Sequence, residues 1–258
     1  MGKYFDTGWL KTITPVTNQI GTASEDAAFG DQDIVFDWLA IDIPKGTHKL
    51  ANASMIVQGT HGARQAEVDF QLWFARPVDG VAPPSLGTPN AVVTGTGHRK
   101  HMVGIVDFDA THAGGDAFKF CSFYSTGTVS RSGALTSTPG LIVATGGDAE
   151  SSGTNVGMDK IYVAGISLGT TLNFSTNVLT TGTVSASTSS TDITVDGAHA
   201  TKVFEVGDVI QAMDLAEIGT ITALTTTQIT VDAVAAELAN NDEILTTSPV
   251  KLKLSFEQ

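Results

Sequence analysis

Two groups of residues in this chain have the types and spacing that chemistry uses. The first is Gly165-Ile166-Ser167-Leu168-Gly169, which fits the G-x-S-x-G nucleophile elbow. That elbow works because a strained strand-to-helix turn lifts the serine hydroxyl clear of the backbone. The residues that follow here, Thr170-Thr171-Leu172-Asn173-Phe174, are β-prone, and no alternating strand–helix pattern surrounds them. Ser167 is therefore expected in a strand or at a strand end. The second group is His98, His101, Asp107, Asp109 and His112, which together offer nitrogen and oxygen ligands to a metal. Asp107 and Asp109 flank Phe108, however, and in a strand they share one wet face. His98 and His101 stand beside Arg99 and Lys100, as in a polar loop.

Acidic turns at 25–33 and at Asp196, Asp208, Asp232 and Asp242 suggest calcium, but they lack the spacing of known calcium loops. Asp at a strand end builds Asx turns. Paired carboxylates for glycoside hydrolysis must meet in space, and the sequence leaves such meetings open. Trp9, Trp38, Trp73, Phe74 and Tyr124 offer planar faces to a sugar, yet Trp38 and Trp73 sit inside apolar segments that favour core packing. No phosphate loop or dinucleotide fingerprint is present. No residue is expected to be catalytic, to bind a cofactor or to ligate a metal, and the protein is expected not to be an enzyme.

Composition narrows the partners. A net charge of −13 repels phosphate backbones and anionic lipid, so neither nucleic acid nor membrane is an expected partner. With Cys121 as the only cysteine, an intrachain disulfide and a multi-cysteine zinc site are both excluded. The start, Met1-Gly2-Lys3-Tyr4-Phe5-Asp6, has no apolar signal-peptide core, and synthesis in a cytoplasm is expected.

The elements that must position these residues are strands. Val68, Phe70, Leu72 and Phe74 alternate with polar residues, and so do Val250, Leu252, Leu254 and Phe256. Denser apolar runs at 34–43, 103–108 and 161–168 predict strands covered on both faces. Gly- and Pro-rich turns separate the runs, and only 233–239 has a helical look. The chain therefore reads as all-β.

Composition changes near Val178. All three Trp and all three Tyr precede it, and a Thr-, Ala- and Val-rich stretch follows. That later stretch repeats itself. Gly182-Thr183-Val184-Ser185-Ala186 matches Gly219-Thr220-Ile221-Thr222-Ala223, 37 residues on. Ile193-Thr194-Val195-Asp196 matches Ile229-Thr230-Val231-Asp232 at 36, and Asp208-Val209-Ile210 matches Asp242-Glu243-Ile244 at 34. A unit of roughly 36 residues cannot bury its apolar face alone, so the copies are expected to pair with pseudo-twofold symmetry. The organisation that follows is a jelly-roll-like β-sandwich over 1–178, then a small β-barrel built from the repeat over 179–258.

Two segments carry a resemblance: 48–77, with Gln71-Leu72-Trp73-Phe74-Ala75-Arg76-Pro77, and 157–167, Gly157-Met158-Asp159-Lys160 through Ser167. They resemble the first domain of virion structural proteins from marine and cyanobacterial tailed bacteriophages. Phe204-Glu205-Val206-Gly207-Asp208-Val209-Ile210 and 219–232 resemble small barrel modules appended to such proteins. The resemblance implies a role in the virion but transfers no functional residue. That role is a capsid decoration or cement protein, a dimer or trimer that contacts the major capsid protein. A neck or tail component is the alternative, and a carbohydrate-binding receptor module is the alternative of another class. The apolar start, Tyr4-Phe5 and Trp9-Leu10, is expected to lie against a neighbouring chain.

Overall fold

A computed structural model describes residues 8–13, 28–43, 46–58, 68–109, 121–125, 142–145, 160–172, 178–179, 191–197, 200–212, 217–232 and 238–257. Side chains are described for all of these except 8–13, 46, 121–125, 142–145, 178–179 and 257. The protein is all-β, as its alternation predicts.

Among the described residues, nine strands build the larger unit: β1 (Gly8–Ile13), β2 (Ile34–Asp42), β3 (Gly46–Gln58), β4 (Phe70–Ala75), β5 (Met102–Phe108), β6 (Cys121–Ser125), β7 (Ile142–Thr145), β8 (Lys160–Ser167) and β15 (Val250–Glu257). Their antiparallel pairings are nested. β1 pairs with β15, β2 with β8, β3 with β6 and β7, and β4 with β5. Two further ladders, β15 on β3 and β8 on β4, join these pairs into two sheets. The sheets run β1-β15-β3-β6, with β7 also on β3, and β2-β8-β4-β5. This is the order of a jelly roll, a long antiparallel hairpin rolled so that the chain keeps crossing between two sheets.

Period-two patterning supplies the core between the sheets. Phe70, Leu72 and Phe74 of β4 face Met55 and Val57 of β3 and Val250, Leu252, Leu254 and Phe256 of β15 in one buried cluster. Strand β8 is buried on both faces from Ile161 to Ser167, as its dense apolar run predicts. Strand β5 departs from that expectation, because it closes its sheet's described order and leaves Ile105 48% exposed.

The smaller unit contains β9 (Val178–Leu179), β10 (Asp192–Thr194), β11 (Val209–Ala212), β12 (Glu217–Leu224), β13 (Gln228–Val231) and β14 (Glu243–Thr246). They form one sheet in the order β10-β13-β12-β11-β14-β9 around a separate apolar cluster that includes Ile193, Ile210, Ile221, Ile229 and Ile244. Among the described residues this sheet is open, where a barrel was expected. One four-residue helix, α1 (Ala200–Val203), lies between β10 and β11, and the helical-looking 233–237 falls outside the described residues.

The repeat is visible in the register. Strands β10 and β13 pair with Ile193 opposite Ile229, its own equivalent 36 residues on. Strands β11 and β14 pair with Gln211 opposite Leu245, again equivalents at the 34-residue offset. Each pairing is self-complementary, which is the pattern a twofold axis imposes. The turns match too. In one copy the Asp208 carboxylate accepts the Glu205 N–H at 2.8 Å, and in the other Asp242 accepts the Ala239 N–H at 2.6 Å.

The expected boundary at 178/179 needs one correction. Residues 250–257, which composition places with the second unit, lie as β15 between β1 and β3 in the first. The repeat unit is thus an insertion between β8 and β15. Its entry and exit meet where Leu179 and Val178 pair with Glu243 and Ile244. Within the apolar start, residues 8–13 form a strand on the chain's own β15, and residues 4–5 lie outside the described set.

Candidate functional site

The segment 76–101 leaves β4 and returns to β5 by way of the outer face of the β2-β8-β4-β5 sheet. Its first half is fastened to β2. The Trp38 indole N–H donates to the Pro84 carbonyl at 3.0 Å, and the Leu86 N–H donates to the Asp37 carboxylate at 3.0 Å. Ile34 donates to the Ala91 carbonyl at 3.0 Å and accepts from the Asn90 N–H at 2.8 Å. Residues 90–91 therefore occupy backbone groups at the edge of β2 that would otherwise invite another strand. Beneath the segment lies a small apolar cluster of Ile34, Leu86, Ala164 and Ile166, with Trp38, Trp73, Val93 and Leu168 half-buried against it.

The second half ends in the 3-10 turn Gly97–Lys100, which sets His98 over Trp73 with ring centroids 5.7 Å apart. The Trp73 indole N–H donates to the Gln71 side-chain oxygen at 3.0 Å, and the Gln71 amide donates to Asp107 at 2.9 Å. This ladder follows from register, since Gln71 lies opposite Asp107 and Trp73 opposite Ile105. One face of β4 and β5 thus presents an indole, an amide, a carboxylate and an exposed isoleucine side by side.

The suggested metal ligands are given other tasks. His101 is 1% exposed, and its Nδ1–H donates to the Arg76 carbonyl at 3.0 Å. His98 is buried against Trp73, and its Nδ1 has no hydrogen-bond partner among the described residues. Burial, with the Arg99 charge as the smaller cause, holds its pKa below the ordinary histidine value. Asp107 and Asp109 are exposed on either side of buried Phe108, as the alternation predicts. His112 lies outside the described residues. Among the described residues no three His, Cys, Asp or Glu side chains come together as a metal-holding group.

Ser167 ends β8 and is fully buried. Its hydroxyl donates to the Gly169 carbonyl at 3.1 Å and accepts the Gly169 N–H at 3.3 Å. The two glycines of the motif have packing roles. A Cβ on Gly165 would stand 2.2 Å from Phe36 Cε1, and one on Gly169 would stand 2.9 Å from Val68 Cβ. Both distances are far inside van der Waals contact, so these positions exclude a side chain where Phe36 and Val68 cross them.

The acidic turns hold backbone. Asp33 accepts the Gly30 N–H at 2.5 Å, and Asp232 accepts the Thr220 N–H at 2.8 Å, while Asp196 is exposed. Asp208 has a second task, because Lys251 of β15 bridges to Glu205 and lies 3.8 Å from Asp208. Burial raises the Asp208 pKa, partly offset by the Glu205 N–H and by Lys251. Sequence reasoning missed this junction and the Gln71–Asp107 ladder. Each joins residues far apart in the chain, and the signal that would have found them is strand register.

No protein-family model matches the chain, and no curated protein matches it.

Proposed function

We propose that this chain is a non-enzymatic structural subunit of a bacteriophage particle, a capsid decoration or cement protein that docks on the major capsid protein as a dimer or trimer. The observation that carries the reading is the jelly-roll strand order with a second β unit inserted between β8 and β15. Jelly rolls recur in capsid proteins, and an inserted module adds contact surface without disturbing the nested pairings. The support is an analogy of fold, because function belongs to sites rather than to folds. A net charge of −13 supports a partner other than nucleic acid.

The test is to mix purified protein with phage heads that lack it and to image the product. Density at repeated capsid positions, on the order of hundreds of copies, supports decoration, whereas about six to twelve copies at one vertex support the neck or tail alternative. A monomer that binds no head overturns the reading. Jelly rolls also serve lectins, and the indole, amide and carboxylate of Trp73, Gln71 and Asp107 on one face favour a carbohydrate-binding second reading. Glycan binding that Trp73→Ala abolishes would put it first.

A further inference from the structure

The two halves of the 76–101 segment are fastened differently. The first half makes four backbone or indole hydrogen bonds to Ile34, Asp37 and Trp38 of β2. The second half meets the outer face of the sheet through Val93 and through His98, which is 8% exposed and 5.7 Å from Trp73. Within the turn, Arg99 donates to the Thr96 carbonyl and His101 to the His98 carbonyl, and His101 at its end is tied to Arg76 by two hydrogen bonds.

Among the described residues, His98 Nδ1 is buried without a partner. A neutral ring tolerates this, because it can carry its one proton on Nε2 and leave Nδ1 as an unused acceptor. An imidazolium cannot, since it bears N–H on both nitrogens and must bury a charged donor with nothing to receive it. Nearby groups do not compensate. Arg99 and Lys100 on the same turn are cationic, and His101 directs its Nδ1 to the Arg76 carbonyl. On the strands below, Asp107 already accepts the Gln71 amide, and Asp37 of β2 takes the Leu86 N–H.

We propose that His98 is an acid-released clip: a second proton on its ring lifts the turn Gly97–Lys100 from Trp73 and uncovers the indole beneath it. Residues 90–91 stay on β2 and His101 stays on Arg76, so the movement is confined to the residues between these two anchors. The lowered pKa of His98 agrees in direction. The group uncovered is the Trp73 indole, while Leu86 stays over Ala164 and Ile166. This device does not depend on the virion reading.

The experiment uses the full-length chain. NMR titration of the His98 ring is expected to give a midpoint below the unperturbed value of about 6.5. Amide exchange at 98–101, corrected for intrinsic pH dependence, is expected to rise as pH falls from 7.5 to 5.0. Exchange at 86–91 stays constant, and His98→Gln removes the step at 98–101. A His98 midpoint at or above the unperturbed value overturns the proposal. So does an exchange step that survives in the glutamine variant. If that variant does not fold, the wild-type titration and exchange profile decide.

Discussion

Ile193 and Ile229 occupy the same position in two successive repeats and lie directly opposite each other across the β10–β13 ladder. Both are fully buried in one cluster. A residue that faces its own equivalent sits on or beside a twofold axis, so the repeat folds as an internal dimer whose halves share one core. Neither half can close that core alone, which is why two copies are needed.

Ile193→Ala and Ile229→Ala are expected to destabilise the protein by similar amounts, about 2–5 kcal/mol each. Denaturant unfolding checks this. A cost of several kcal/mol at one site and almost none at the other would contradict the shared axis.

Gly165→Ala forces a methyl group against the Phe36 ring, and overpacking of this kind costs about 1–3 kcal/mol. Shrinking the ring with Phe36→Leu is expected to recover part of that loss in a double-mutant cycle, because the two sites are in contact. Ser167→Ala removes a turn hydrogen bond and is expected to cost only about 1 kcal/mol. If it instead abolished a hydrolase activity of the purified protein, the structural account of Ser167 would fail.

A fragment ending at residue 178 lacks β15, which lies between β1 and β3 and buries Val250, Leu252, Leu254 and Phe256 completely. Circular dichroism and amide exchange are expected to show that this fragment does not fold. In the full chain, Phe256→Ala is expected to cost about 3–5 kcal/mol.

Asp208 gives the repeat unit a pH signature. Its folded pKa is raised, chiefly by burial. A raised carboxyl pKa means that the folded state holds the proton more tightly than the unfolded one. The contribution is therefore fully present below the unfolded value near 3.8 and is lost as pH rises through the folded value. Asp208→Asn keeps an acceptor for the Glu205 N–H while removing the titration. Wild type is expected to gain on this variant as pH falls from 7 towards 3, as measured by urea midpoints. Parallel pH profiles would remove Asp208 as the cause.

The sequence by itself determined what is local. Alternation at Val68–Phe74 and 250–256 made strands with one apolar face, because period two is written residue by residue. The dense run of β8 announced its burial on both faces, and matched words announced the repeat and its pairing of equivalents. Tertiary structure decided which strands meet. An apolar face carries no address, so nothing in 250–257 says that it will cross back to pair with Leu50 and Met55 rather than join the repeat that precedes it. The same holds for β5, whose apolar run does not reveal that it closes its sheet's described order. The glycines of 165–169 made an enzyme motif on paper, and only the approach of Phe36 and Val68 showed what their missing side chains are for. His98 likewise became a candidate switch only once the fold set it on Trp73 and left its Nδ1 without a partner.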